Sequence, residues 1–84
     1  MELKDRATRM RVQVRIDRLS CGNFGSHREL PGGIGELKID FGPGYRVYYA
    51  RRCEVVILLC GGSKATQRRD IGRATTLAAR LDEE

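Results

Sequence analysis

Lys38, Arg46, Tyr48 and Lys64 are the residues whose types and spacing could do chemistry on a phosphodiester. Glu36 to Phe41 alternates polar and apolar residues, and Tyr45 to Arg51 does so again after the turn formers Gly42-Pro43-Gly44. Alternation of period two predicts paired strands, with Leu37, Ile39 and Phe41 toward a core and Glu36, Lys38 and Asp40 toward solvent or ligand. Arg46 and Tyr48 then share the face of Lys38. Lys64 follows Gly61-Gly62-Ser63, where free backbone amides could bind an anion. Fixed cations of this kind can hold a scissile phosphate, neutralise its oxygens in the transition state and bring a neighbouring ribose hydroxyl into line. Proton transfer needs a further group, for which Tyr48 and His27 are the candidates. Arg28, Arg68 and Arg69 are candidate contacts to an RNA backbone. The same cations also have an ordinary reading as solvated charge on an outer sheet face.

The elements that must carry these residues follow from periodicity. Residues 2–19 place Leu3, Ala7, Met10 and Val14 at helical spacing, and likewise Val12, Ile16 and Leu19. Arg11 to Asp17 also alternates as a strand would, but eighteen residues without a turn signal fit one helix, or two joined by a kink. Ser20 to Gly35 reads as a glycine-rich loop. Arg51-Arg52-Cys53 is expected to turn the chain. Glu54 to Cys60 is apolar on both faces, the pattern of a central strand covered on both sides, and Gly61-Gly62-Ser63 is expected to end it. A last helix begins near Thr66 to Asp70, with Ile71, Ala74, Ala78 and Leu81 as its apolar stripe and Gln67 and Asp70 in its opening turn. Helix or helices, a meander of three strands and a helix make a single α+β domain spanning 1–84.

Composition narrows the class. Among 84 residues, 40% hydrophobic and 32% charged is globular rather than disordered. Sixteen cations against eleven anions give +5, and thirteen of the cations are Arg, whose planar fork suits phosphate. Residues 45–73 hold seven cations against Glu54 and Asp70, while the chain ends in Asp82-Glu83-Glu84. Apolar runs are too short to span a bilayer and no signal-peptide core is present, so a cytoplasmic location and no membrane partner are expected. Cys21, Cys53 and Cys60 form no CxxC pair, so neither a disulfide framework, a metal site nor a cofactor is expected.

Beside this reading stands a resemblance. GNFG at 22–25, GELKIDFGPGYRVYY at 35–49 and GGSKATQRRDI at 61–71 resemble the RelE/ParE superfamily of type II toxin–antitoxin modules, in its HigB-like branch of addiction-module killer proteins. The likeness runs from about Ala7 to Leu81. It implies a small antiparallel sheet with helices packed on one side, and a helical first segment. It also implies metal-independent cleavage of mRNA, often on the ribosome, by attack of the 2′-hydroxyl on the adjacent phosphate. Arg46 matches the family's central arginine, Lys38 a basic position on the preceding strand, and Lys64 the basic residue after the GG turn. A cognate antitoxin of helix-turn-helix, HigA-like type would be the partner, with mRNA and the ribosome as targets. The alternatives are a ParE-like gyrase poison, or an inactive module that binds nucleic acid or antitoxin. Three departures stand out. A strand and the start of a helix that members carry ahead of Leu3 are not in this sequence, about fifteen residues by informal comparison. Gly25-Ser26 stands where the family pattern has Gly-Asp, and Ser63 where it has the Asp before the lysine. The carboxy-terminal Tyr or His that some members use as an acid is absent.

Overall fold

A computed structural model describes residues 5–53 and 55–83; Leu3 of the expected helical stripe and Glu54 of the expected third strand lie outside them. Helix α1 spans Arg6–Ser20. Asp5 caps it, its carboxylate accepting from the Ala7 amide at 3.1 Å and the Thr8 hydroxyl at 3.1 Å. These bonds satisfy a helix-start amide that would otherwise lack a partner. Asp5→Ala should therefore destabilise the domain by about 0.5–2 kcal/mol, read as a lower midpoint in thermal unfolding. Of the two expected stripes on α1, Val12 and Leu19 are buried, with Ile16 packed beside them, whereas Met10 and Val14 are exposed.

Four antiparallel strands follow in the order β1-β2-β3-β4: β1 His27–Leu30, β2 Ile34–Ile39, β3 Tyr45–Arg52 and β4 Val55–Ser63. A 3-10 turn at Lys64–Thr66 leads into α2, Gln67–Asp82. The α+β class expected from the sequence is what the chain adopts. The expected three-strand meander is corrected to four, because His27–Leu30 pairs with β2 inside the stretch read as loop. That strand is short, polar and mostly exposed, so it carries no apolar alternation.

The sheet separates the two helices. Val12 and Leu19 of α1 pack with Leu37, Ile39, Val47 and Tyr49. Ala74 and Ala78 of α2 pack with Ile34, Tyr48 and Ala50, and Ile71 and Leu81 join them. Neighbouring β3 residues point to opposite faces, so Val47 and Tyr49 belong to one helix and Tyr48 and Ala50 to the other. Helices on one side of the sheet, as the resemblance implies, do not describe this chain. Arg15 ties α1 down: its guanidinium donates to the carbonyls of Lys38 at 2.6 Å, Phe24 at 3.2 Å and Ser26 at 3.0 Å. Gly35 lets the Tyr49 ring lie flat on β2, since a Cβ there would overlap the ring.

The expected central strand is an edge strand. β4 pairs with β3 alone among the described residues, and its strand runs through Gly61-Gly62-Ser63 instead of stopping before them. Val55 is 58% and Leu58 48% exposed. Its double-sided apolar pattern arises because α2 covers one face and a β-bulge opposite Tyr48 and Tyr49 shifts the alternation midway. No helix among the described residues is long and apolar enough to cross a membrane.

Candidate nucleic-acid interface

The antiparallel register of β2 and β3 sets Lys38 directly opposite Arg46 and Glu36 directly opposite Tyr48. All four side chains emerge on the face that α2 partly covers. Arg46 faces Gly62 on its other side. The loop before β3 brings in Lys64, whose amide donates to the Gly44 carbonyl at 2.8 Å. A side-chain carbon on Gly44 would meet both Arg46 Nη1 at 3.4 Å and Lys64 Cβ at 3.5 Å. Gly44 has φ +79°, and the absence of its side chain leaves Arg46 and Lys64 adjacent. Lys38, Arg46 and Lys64 are thus brought to one end of one sheet face. Lys64 is exposed and Lys38 half-buried.

Arg46 differs from a solvated cation: it is only 7% exposed. Its Nη1 donates to the Tyr45 carbonyl at 3.1 Å, while its buried Nε meets no acceptor among the described residues. The free amides expected around the glycines are not there. Gly61 and Gly62 lie within the β3–β4 ladder, and the amides of Ser63 and Lys64 are taken by Thr66 Oγ1 and the Gly44 carbonyl.

Beneath the cations lies a polar cluster that the sequence did not disclose. Glu36, expected to face solvent or ligand, is completely buried. Its Oε2 accepts from Gln67 Nε2 at 2.8 Å and its Oε1 lies 3.4 Å from Arg28 Nη2. Asp70, on the first turn of α2, is also buried and accepts from the Thr66 hydroxyl at 2.5 Å. Gly62 makes room for it, because a Cβ there would overlap the Asp70 carboxylate. Arg69 Nε lies 3.6 Å from Asp70 Oδ1, so each buried carboxylate has an arginine beside it. The hairpin loop would not have disclosed it: closing the strands tightly on Gly42-Pro43-Gly44 sets Phe41 opposite Tyr45 and Glu36 opposite Ala50, whereas the chain pairs Ile39 with Tyr45 and so Glu36 with Tyr48.

The two acid–base candidates fare differently from the cations. Tyr48 is fully buried. Burial first, then the neighbouring Glu36 and Asp70 carboxylates, push its hydroxyl above the ordinary tyrosine range, against the opposing pull of Arg46. Its oxygen faces Glu36 without a hydrogen bond of good geometry. As arranged, it cannot reach a leaving group. His27 pairs with Leu37 in register and so projects from the opposite face, its ring tilted at 50° against Phe24 with centroids 5.2 Å apart and Nδ1 2.9 Å from the Gly25 carbonyl. It is not part of the cationic cluster, and with β1 unrecognised its face could not be assigned.

Arg28 sits on β1 beside Glu36. Arg68 and Arg69 open α2, exposed around a shallow depression of about 410 Å³ that Ala65 and Thr66 also line. The six expected cations therefore divide into Lys38, Arg46 and Lys64 at the sheet end, Arg68 and Arg69 on the adjoining helix start, and Arg28 farther along the same face.

No family model matches the chain, and no solved structure matches it. A protein of Haemophilus influenzae (strain ATCC 51907 / DSM 11121 / KW20 / Rd), described as "Uncharacterized protein", is 48% identical over 81 residues, which cover 95% of this chain and 82% of that one. At that identity and coverage, the chain belongs to the family of this Haemophilus protein.

Proposed function

We propose that the chain is a toxin of the RelE/ParE kind, a metal-independent endoribonuclease acting on mRNA in the cytoplasm and restrained by a cognate antitoxin. The observation that carries this reading is that Arg46 and Lys64 meet at Gly44 while Lys38 stands opposite Arg46 across the β2–β3 pair. A backbone phosphate seated there would accept from Lys38 and Lys64 and from the outer guanidinium nitrogens of Arg46. As the ribose 2′-hydroxyl attacks the phosphorus, negative charge builds on the non-bridging oxygens, and fixed cations stabilise it without reorganising. The bond to the 5′-oxygen breaks as the 2′-oxygen bond forms; the 2′-hydroxyl gives its proton to water and the 5′-oxygen takes one from water, leaving a 2′,3′-cyclic phosphate and a 5′-hydroxyl end. Arg68 and Arg69 would guide the flanking backbone. A helix-turn-helix antitoxin would mask the same cations.

The burial of Tyr48 favours a second reading. With no acid at the cluster, the surface would bind RNA without cutting it. Primer extension on a transcript incubated with the chain, with ribosomes in magnesium buffer or with the chain alone in EDTA, together with a gel-shift assay of binding, separates the two. The first reading expects discrete cuts with cyclic ends that EDTA leaves unchanged. Intact binding without cuts supports the second, and loss of both overturns the nucleic-acid assignment.

A further inference from the structure

We propose that β4 is a self-association edge, along which two copies of this chain pair antiparallel about a twofold axis to form one continuous eight-stranded sheet. The nine residues of β4, VVILLCGGS, include no charge and no proline. The devices that normally block an open edge are therefore missing, and its outer amides and carbonyls face no strand among the described residues. The edge spans roughly 30 Å at about 3.3 Å per residue, against a longest molecular extent of 36 Å. Exposed Val55 and Leu58 give it an apolar side-chain lining. Elsewhere a molecule of charge +5 repels its own kind; this strip is neutral.

Charge placement selects the antiparallel arrangement and a second copy as occupant. α2 runs back along β4 after only a three-residue turn. Its basic start, Arg68 and Arg69, lies at the Ser63 end of β4. Its acidic end lies at the Val55 end, where Arg52, the register partner of Val55, bonds Asp82 at 2.8 Å. A twofold axis normal to the sheet keeps both α2 helices on one face, side by side and oppositely directed. Each basic helix start then meets the partner's Asp82-Glu83 end, and the helix dipoles also oppose. A parallel pairing would need an axis along the strands, which puts the two α2 helices on opposite faces and brings none of these charges together. The twofold contact closes on itself, giving a dimer rather than a fibre.

Sedimentation equilibrium of the full chain, over a wide concentration range and at low and high salt, tests this. A monomer–dimer equilibrium is expected, weakened by salt. Leu58→Lys puts like charges at the middle of the contact on an already exposed position, and should weaken dimerisation by roughly tenfold or more, with an unchanged circular dichroism spectrum. Glu83→Arg and Arg69→Glu should each weaken it, and the double variant should restore it. A folded chain that stays monomeric throughout overturns the proposal and leaves the edge to a strand of some other protein. A dimer indifferent to Leu58→Lys, or an Arg69→Glu defect that Glu83→Arg does not rescue, overturns it as well.

Discussion

Replacing Arg46 with alanine should lower transcript cleavage by about 10²–10³-fold, the usual loss when one preorganised oxyanion donor is removed. Under the proposed function, Arg46 is the cation with the least freedom. It is held between Lys38 and Gly62 by register, and its Nη1 is fixed on the Tyr45 carbonyl. A donor so constrained loses little entropy on meeting a phosphate. Lys38 is half-buried and Lys64 exposed, so alanine at either should cost less. Arg46→Lys keeps the charge but not the fork and should fall between wild type and alanine. Because Arg46 is largely covered, thermal unfolding must accompany the assay. A midpoint lowered by less than about 8 °C, the scale of roughly 1 kcal/mol in a domain this size, would leave the sheet assembled. Full cleavage by a folded Arg46→Ala protein would refute the site.

Gly35→Ala should be a severely damaging methyl addition. The new carbon would overlap the ring of Tyr49, which is fully buried between Phe24 and the α1 side of the core. A strand cannot step aside from its ladder, and a planar ring cannot bend. The ring must leave its place, at a cost near the upper end of overpacking, about 3 kcal/mol. That is a large share of the roughly 4–12 kcal/mol expected for a chain of this length. Gly72→Ala supplies the contrast. It lies within α2 with open space where the Cβ would stand, so the same methyl should stabilise by about 0.5–1 kcal/mol through helix propensity. Denaturant unfolding of the three proteins measures both signs.

Much of the architecture was legible because it followed simple periods. Ile71, Ala74, Ala78 and Leu81 repeat at helical spacing and do face the sheet. Leu37 and Ile39, then Val47 and Tyr49, alternate across a hairpin marked by Gly42-Pro43-Gly44 and meet on one face. What escaped lacked such a signal. His27–Leu30 forms a strand from polar residues at a sheet edge, where only the backbone ladder holds it, and its loss from the reading also concealed the face of His27. β4 was misplaced because apolar residues on both sides of a strand mark burial only when no bulge changes the alternation. Alternation put Lys38, Arg46 and Tyr48 on a common face, but could not show that α2 lies over part of it. Hence Glu36 and Tyr48 turned out to be sealed in.

The opposed helices have a consequence for how this small chain fails. Its apolar atoms occupy two shallow compartments back to back, divided by a partition one polypeptide thick. Neither compartment can borrow packing from the other across that wall. Damage beneath α1 leaves Ala74 and Ala78 seated, and damage beneath α2 leaves Val12 and Leu19 seated. The two coverings can therefore loosen in turn, with the middle strands that serve both the last to let go.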